Sequence, residues 1–172
     1  DGTAVKTPGS KIFPYIKENI DEIITIDDNE LIGAFLDMLE NHKMLAENSG
    51  LLTVAALKHL KCKGKKVVPI ISGGNMDVIT FSSLVQHGLI ERGRICTVSV
   101  LLPDKPGELT NVSKVIADAQ GNIVKLEHNQ FISINRSSAV ELIITMETFG
   151  HEHKEKIIKS LKDNGYNPKS IK

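Results

Sequence analysis

The stretch LLPDKPGELTNVSKVIADAQGNI, residues 101–123, constrains this chain more than any other feature. It leaves a β-branched run, ICTVSVLL at residues 95–102, and turns sharply through Asp104, Lys105, Pro106 and Gly107. It then enters a helical pattern over residues 108–120, with Leu109, Val112, Val115, Ile116 and Ala119 on one face. Gly121 is expected to stop that helix, and Asn122 to open a second strand. A hydrophobic period that switches from two to 3.6 and back across one tight turn describes a strand, a crossover helix and a strand.

The pattern then completes itself. Residues 122–134 read as a long strand, 135–138 as a hairpin turn and 139–148 as the returning strand. A second helix over 152–164 turns Ile157, Ile158 and Leu161 inward and ends at Gly165. Residues 166–171 supply a last strand. The order is βαββαβ, the ferredoxin-like arrangement of an α+β domain. Arg92-Gly93-Arg94 marks the junction with what precedes, so the expected division is residues 1–92 and 93–172.

The first 92 residues read differently. Residues 11–20 suggest a short helix with Pro14 near its start, and DEIITI at 21–26 a strand. Asp27 and Glu30 form a variant capping box for a helix carrying Leu31, Phe35, Leu36 and Leu39. A further helix is expected over 51–60. KVVPII at 66–71 suits a buried parallel strand, although Pro69 cannot donate to a ladder. Ser72-Gly73-Gly74-Asn75 then leads into a helix over 77–87, with Gly88 as its terminator. Strand, glycine turn and helix is α/β grammar. Two strands are too few to close a doubly wound sheet, so this segment is expected to be part of a domain.

Charge excludes one class of function. Basic and acidic residues balance, 21 against 21, and only 4% of residues are aromatic. Nucleic-acid surfaces draw affinity from a basic excess and stacking rings, so no nucleic-acid partner is expected. No apolar run approaches the roughly 20 residues that span a bilayer. Cys62 and Cys96 form no paired motif, which fits a reduced, cytoplasmic setting. The chain opens on Asp1 rather than Met, which leads to the expectation of a fragment or a processed product.

Residues 95–172 resemble the ACT domain, on the D-x-P-G-x-L turn, the Gly121-Asn122-Ile123 entry to strand two and the βαββαβ order. Residues 1–92 resemble the carboxy-terminal part of the threonine ammonia-lyase (threonine dehydratase) catalytic domain, a fold-type II pyridoxal-phosphate enzyme. The matching stretches are DGTAVKTPG, DEIITIDDNEL, AENSG and VVPIISGGNMD. AENSG departs from the commoner Glu-Pro-Ser-Gly and Glu-Gly-Ala-Gly forms. The family's Schiff-base lysine lies in an S-x-K-x-R-G motif that does not occur here, nor does its glycine-rich phosphate cup. No catalytic residue is therefore assigned to this chain. The parent enzyme is expected to use pyridoxal phosphate, with none bound to this portion alone.

The resemblance implies two sets of residues. Ser72 would meet the pyridine nitrogen of the cofactor, with Gly73, Asn75 and Glu47 beside it. A neutral hydroxyl donates a hydrogen bond without holding that nitrogen protonated. That suits loss of a β-hydroxyl, leaving a 2-oxo acid and ammonia. In the ACT part, the turn of Asp104, Lys105, Gly107, Glu108 and Leu109 would meet the carboxylate of an amino-acid effector, isoleucine or valine being candidates. Asp104 and Asn122 would hold its amino group. ACT copies pair, so a homo-oligomer is expected. His151 and His153 bracket a helix start without the further ligands a metal needs, and no metal is expected.

The expected function is thus the carboxy-terminal portion of a threonine ammonia-lyase carrying an allosteric sensor, in isoleucine biosynthesis or threonine catabolism. Two rivals stay open. One is a non-enzymatic amino-acid-binding ACT module. The other is an enzyme of the same fold acting on serine, as a dehydratase or racemase.

Overall fold

Each of four helices owes its end, or its start, to a local device that is visible in the backbone. The computed structural model describes residues 5–7, 9–129 and 140–171. Helices α1 (Phe13–Asn19), α2 (Asp28–Asp37), α3 (Asn48–Ala55) and α4 (Val78–Glu91) come first. Strand β1 (Ile95–Leu102), helix α5 (Glu108–Asp118), β2 (Asn122–Asn129), β3 (Val140–Glu147), α6 (His151–Asp163) and β4 (Lys169–Ile171) follow. The chain divides into two units, Asp1–Gly88 and Leu89–Lys172, and the division falls within α4.

In the first unit, α2 starts on a capping box. Asp27 accepts from the Asn29 amide at 2.9 Å, and Glu30 accepts from the Asp27 amide at 3.2 Å. Glu30 also meets His59 Nε2 at 2.9 Å, and that hydrogen bond, then the Asp27 amide, holds its carboxyl below the usual range. A π-helical turn, Met38–His42, continues α2, and Lys43 ends it in the left-handed region at φ 55°. Phe35, Leu36, Met38, Ala46 and Leu51 are buried together, with Met76, Phe81 and Leu84 packed against them. The Phe35 and Phe81 rings meet edge to face, 5.7 Å between centroids.

Two expectations for this unit need correction. Neither 21–26 nor 66–71 pairs in a ladder, so neither is a strand. Several of their apolar residues lie open, Ile23 78% exposed and Val68 83%, while Ile71 packs against the core of this unit. β-propensity reports fit to a pleated, half-buried surface, and without a neighbouring strand it has nothing to act on. Gly88 is not a terminator either. Helix α4 runs on to Glu91, and a Cβ at Gly88 would sit 2.3 Å from Leu36 Cδ1. The glycine allows close helix packing. Termination comes at Gly93, φ 62°, where the Arg94 amide donates to Leu89 O (2.8 Å) and the Gly93 amide to Ile90 O (2.9 Å). That is a Schellman end.

The second unit holds one four-stranded antiparallel sheet in the order β2-β3-β1-β4. Strand β1 lies between β3, with Ile95 opposite Glu147 and Leu102 opposite Val140, and β4, with Thr97 opposite Ile171. The β2–β3 ladder runs from Asn122 opposite Glu147 to Asn129 opposite Glu141, with an irregularity between Ile123 and Lys125. The expected hairpin turn at 135–138 lies outside the described residues. Val98, Val100, Leu142, Ile144 and Met146 face Val112 and Ile116 of α5 and Ile157 and Leu161 of α6, all buried in one core. Alternation is nearly complete along β3, as a sheet with one face on a core requires. The end of α5 also departs from expectation. Gln120, at φ 68°, takes the left-handed position, and Gly121 is needed because a Cβ there would meet Ile116 and Ile157 side chains within 3 Å.

Truncating a core residue in this unit has a defined cost. Leu161→Ala removes a fully buried side chain and should cost about 2–5 kcal/mol of the second unit's stability in urea unfolding followed by far-UV circular dichroism. A loss under about 1 kcal/mol would contradict this packing.

Candidate functional site

Two cavities, one in each unit, gather the residues singled out from the sequence. The first is built where α3 begins. The Glu47 amide donates to Gly73 O at 3.3 Å, tying the start of α3 to the Ser72–Asn75 stretch. The Glu47 carboxylate accepts from the Ser49 hydroxyl at Oε1 (2.5 Å) and from the Asn75 amide at Oε2 (3.2 Å). Gly73 adopts φ 74°, and a Cβ there would come within 2.3 Å of Glu47 Cδ. At Gly50 the approach is closer still, since a Cβ would overlap Ser72 O. Gly50 is therefore required by backbone approach, and Gly73 by its positive φ and the Glu47 side chain against it. A cavity of about 490 Å³ opens beside them, lined by Glu47, Ser49, Asn75, Met76, Asp77 and Thr80 among others.

Asp77 closes this site by capping α4. Its carboxylate accepts from the Ile79 and Thr80 amides, each at 2.9 Å, and from the Thr80 hydroxyl. The Thr80 hydroxyl, followed by the Thr80 and Ile79 amides, holds its carboxyl below the ordinary range. The structure thus brings Glu47, Ser72, Gly73 and Asn75 together. Sequence reading missed Ser49 and Asp77. The signal for Asp77 was available, as an aspartate three residues before Thr80 at a helix start.

The second site is the turn after β1. A cavity of about 190 Å³ is lined by Asp104, Lys105, Gly107, Glu108, Leu109 and His128, together with apolar residues of β1 and β3. Gly107, at φ 95°, directs the chain into α5, and the Asn111 amide donates to its carbonyl at 3.0 Å. His128 enters through β2, opposite Leu142 on the helix-covered face of the sheet. Asn122 is not part of this cavity. It donates from Nδ2 to Glu147 Oε2 at 2.8 Å, in the row of Ile95 at the other end of the sheet. Seven residues separate Ile95 from Leu102, so the two ends lie about 23 Å apart along the strands.

His151 and His153 serve the backbone. His151 Nε2 lies 2.9 Å from Glu91 O. His153 accepts from the Phe149 amide at Nδ1 (3.0 Å) and donates from Nε2 to Ala119 O (2.8 Å). Among the described residues no group of three His, Cys, Asp or Glu converges as a metal site would. No helix among them is long and apolar enough to cross a membrane.

The chain is 36% identical over 168 residues to the L-threonine ammonia-lyase of Geobacter sulfurreducens, covering 96% of this chain and 42% of that protein. It is 34% identical over 167 residues to the L-threonine ammonia-lyase of Thermotoga maritima, with the same two coverages. A third relative, the biosynthetic L-threonine dehydratase IlvA of Staphylococcus aureus, is 30% identical over 142 residues, covering 81% of this chain and 34% of that protein. No family profile matches the chain. The chain is thus similar over nearly its whole length to these threonine ammonia-lyases, and it spans about two fifths of the length of the first two relatives.

The cap at Asp77 carries a pH signature. Its native carboxyl titrates below the 3.8 of an unconstrained aspartate, so its stabilisation is complete above about pH 4 and is lost as pH falls through the depressed value. Asp77→Ala should unfold at lower urea than wild type at pH 6, by circular dichroism, with the gap closing below about pH 4. A gap of constant size across that range would contradict the cap.

Proposed function

We propose that this chain is the carboxy-terminal portion of a pyridoxal-phosphate-dependent threonine ammonia-lyase, which converts threonine to 2-oxobutanoate and ammonia. In this reading residues 1–92 form one wall of the cofactor pocket. Residues 93–172 form a ferredoxin-like ACT domain that senses an amino acid. The observation that carries the first half is the Ser72–Asn75 loop seated on Glu47 beside a cavity, in a chain matched over nearly its whole length by threonine ammonia-lyases.

The residues present fit the cofactor as one wall and no more. Ser72 is exposed, Gly73 holds a conformation that favours glycine, and nothing lies within 4 Å of where a Cβ on Gly74 would stand. That leaves open space beside Gly74 and an accessible Ser72 for a ring to approach. When bound, the cofactor supplies the electron sink for bond breaking at the substrate α-carbon. Ser72 would offer its hydroxyl to the ring nitrogen as a neutral donor, which does not hold that nitrogen protonated. Glu47 and Asp77 hold the loop and the start of α4 on either side of the cavity. The lysine that anchors the cofactor is no part of these 172 residues in this reading. The open apolar residues of 21–26 and 66–71 support it, since segments of strand composition without a ladder are expected where the pairing strands belong to another part of a longer protein.

The ACT half rests on the turn cavity. Asp104 supplies a negative group for an ammonium, and the start of α5 supplies amides and the positive end of the helix for a carboxylate. Asn122 lies too far from Asp104 to share a ligand within one copy. One effector can touch both only where two copies meet, so this reading carries a homo-oligomer through paired ACT domains, in the cytoplasm. An effector acts by binding two arrangements of that pair unequally.

The test is a longer protein that carries the residues preceding Asp1. It should show pyridoxal-phosphate absorbance and release 2-oxobutanoate from threonine, whereas the 172-residue chain alone should do neither. Turnover of serine in place of threonine would shift the substrate. Absence of cofactor from the longer protein would favour the non-enzymatic module. Calorimetry with isoleucine and valine should show binding that Asn122→Ala weakens about tenfold or more, the size of a lost hydrogen bond to a charged group. Unchanged affinity would remove Asn122 from the site.

A further inference from the structure

Resting on the cofactor-wall reading, we propose that Ser49 and Glu47 form a clasp that positions the Ser72–Asn75 loop, and so sets where the Ser72 hydroxyl stands. Neither residue needs to touch the cofactor to do this. Four contacts define the clasp. The Ser49 hydroxyl donates to Glu47 Oε1 at 2.5 Å, which fixes the carboxylate on the first turn of α3. The other oxygen, Oε2, accepts from the Asn75 amide at 3.2 Å, on the far side of the loop from Ser72. The Glu47 amide donates to Gly73 O at 3.3 Å, so a single residue holds the loop by both its backbone and its side chain. Gly50, one residue past Ser49, lies flush against Ser72 O.

The division of labour follows from chemistry. A carboxylate is acceptor-only and has two oxygens. With one oxygen committed to Ser49, the side chain loses rotamer freedom and the second oxygen is aimed at Asn75. A loop rich in glycine has much conformational entropy to lose on ordering, and four residues reading Ser-Gly-Gly-Asn have few side chains of their own to hold them. Gly74 makes the point, because nothing surrounds its Cβ position. The loop's order therefore comes from α3. Glu47 is only half-buried and its neighbour Asn48 is exposed, so the clasp works at the rim of the cavity.

Two variants separate positioning from simple folding. Ser49→Ala removes the donor that aims the carboxylate, and Ser49→Thr restores it. In the 172-residue chain, hydrogen–deuterium exchange followed by mass spectrometry should show uptake across residues 70–77 rising about fivefold in rate in Ser49→Ala, as one hydrogen bond's net contribution implies. Ser49→Thr should return it to within about twofold of wild type. Glu47→Gln should loosen the same peptide, and peptides from the second unit should not change. Equal uptake in wild type, Ser49→Ala and Glu47→Gln overturns the clasp, as does a wild-type peptide that already exchanges like an unstructured chain. In the longer protein, the circular dichroism band of bound pyridoxal phosphate should shift in Ser49→Ala and recover in Ser49→Thr, with kcat lowered more than KM is changed. A loosened loop with an unmoved band overturns the positioning role. A longer wild-type protein without cofactor instead overturns the enzyme reading, while the exchange result still decides the clasp.

Discussion

Backbone hydrogen bonding separates the two halves of this chain more sharply than hydrophobicity does. Strand β1 has a partner on both edges, β3 along its full length and β4 along three residues, and its inward side chains close the core with α5 and α6. The whole second unit depends on that doubly paired strand. It sets the sheet order, it places both crossover helices against one face, and its end delivers the turn at Asp104. In the first unit no segment of strand composition has such a partner. Its order comes instead from helix packing around Phe35, Leu36 and Leu51, and from one pair of hydrogen bonds that Glu47 makes to a glycine loop.

That difference explains what could be read from the sequence. Periodicity of two or 3.6 locates an element by its own side chains, and the elements of residues 95–129 and 140–171 are of that kind. The order of elements there, the inward Val112, Val115 and Ile116 of α5 and Ile157, Ile158 and Leu161 of α6, and the turn before α5 were legible. The failures at 21–26 and 66–71 have one cause: composition marks a segment as able to pair, and pairing needs a partner that composition does not supply. Glycines divided the same way. Gly165 ends α6 at φ 85°, as its position after a helical pattern implies. Gly88 and Gly121 sit at similar positions and instead admit a neighbouring side chain, Leu36 in one case and Ile116 with Ile157 in the other. A sequence shows that a glycine is present; only packing shows whether φ or volume requires it.

The sites were legible in proportion to how local they are. The turn of Asp104 to Leu109 is contiguous, and it forms one cavity lining as a block. The grouping of Glu47 with Ser72, Gly73 and Asn75 spans 28 residues and came from resemblance, since no periodicity links the two stretches. Ser49 was missed because a serine two residues after a glutamate looks like a helix-start residue in any chain. Sequence reading did not group His128 with the turn; the ladder places it, exposed, opposite Leu142 and so at the turn cavity.

The polar side of the sheet completes the account of register. Thr97 and Thr145 meet hydroxyl to hydroxyl at 3.0 Å, Ser99 donates to Glu141, and Asn122 donates to Glu147. All three pairs lie on the face away from the helices, between residues that the ladder sets opposite one another or diagonal. A slip of one residue would turn Val98, Val100, Leu142 and Ile144 outward and these polar groups into the core. Burying such groups without partners is costly, so both faces exclude the same error. The apolar face alone would fix the alternation. The polar pairs add a preference among registers that differ by two residues, because each donor then loses its acceptor. Strand direction fixes which end of the sheet carries the Asp104 turn and which carries Asn122, because β1 and β2 both run antiparallel to β3. The length of β1 sets the separation between these two residues, and the polar pairs hold the ladder in the register that keeps Asn122 beside Glu147.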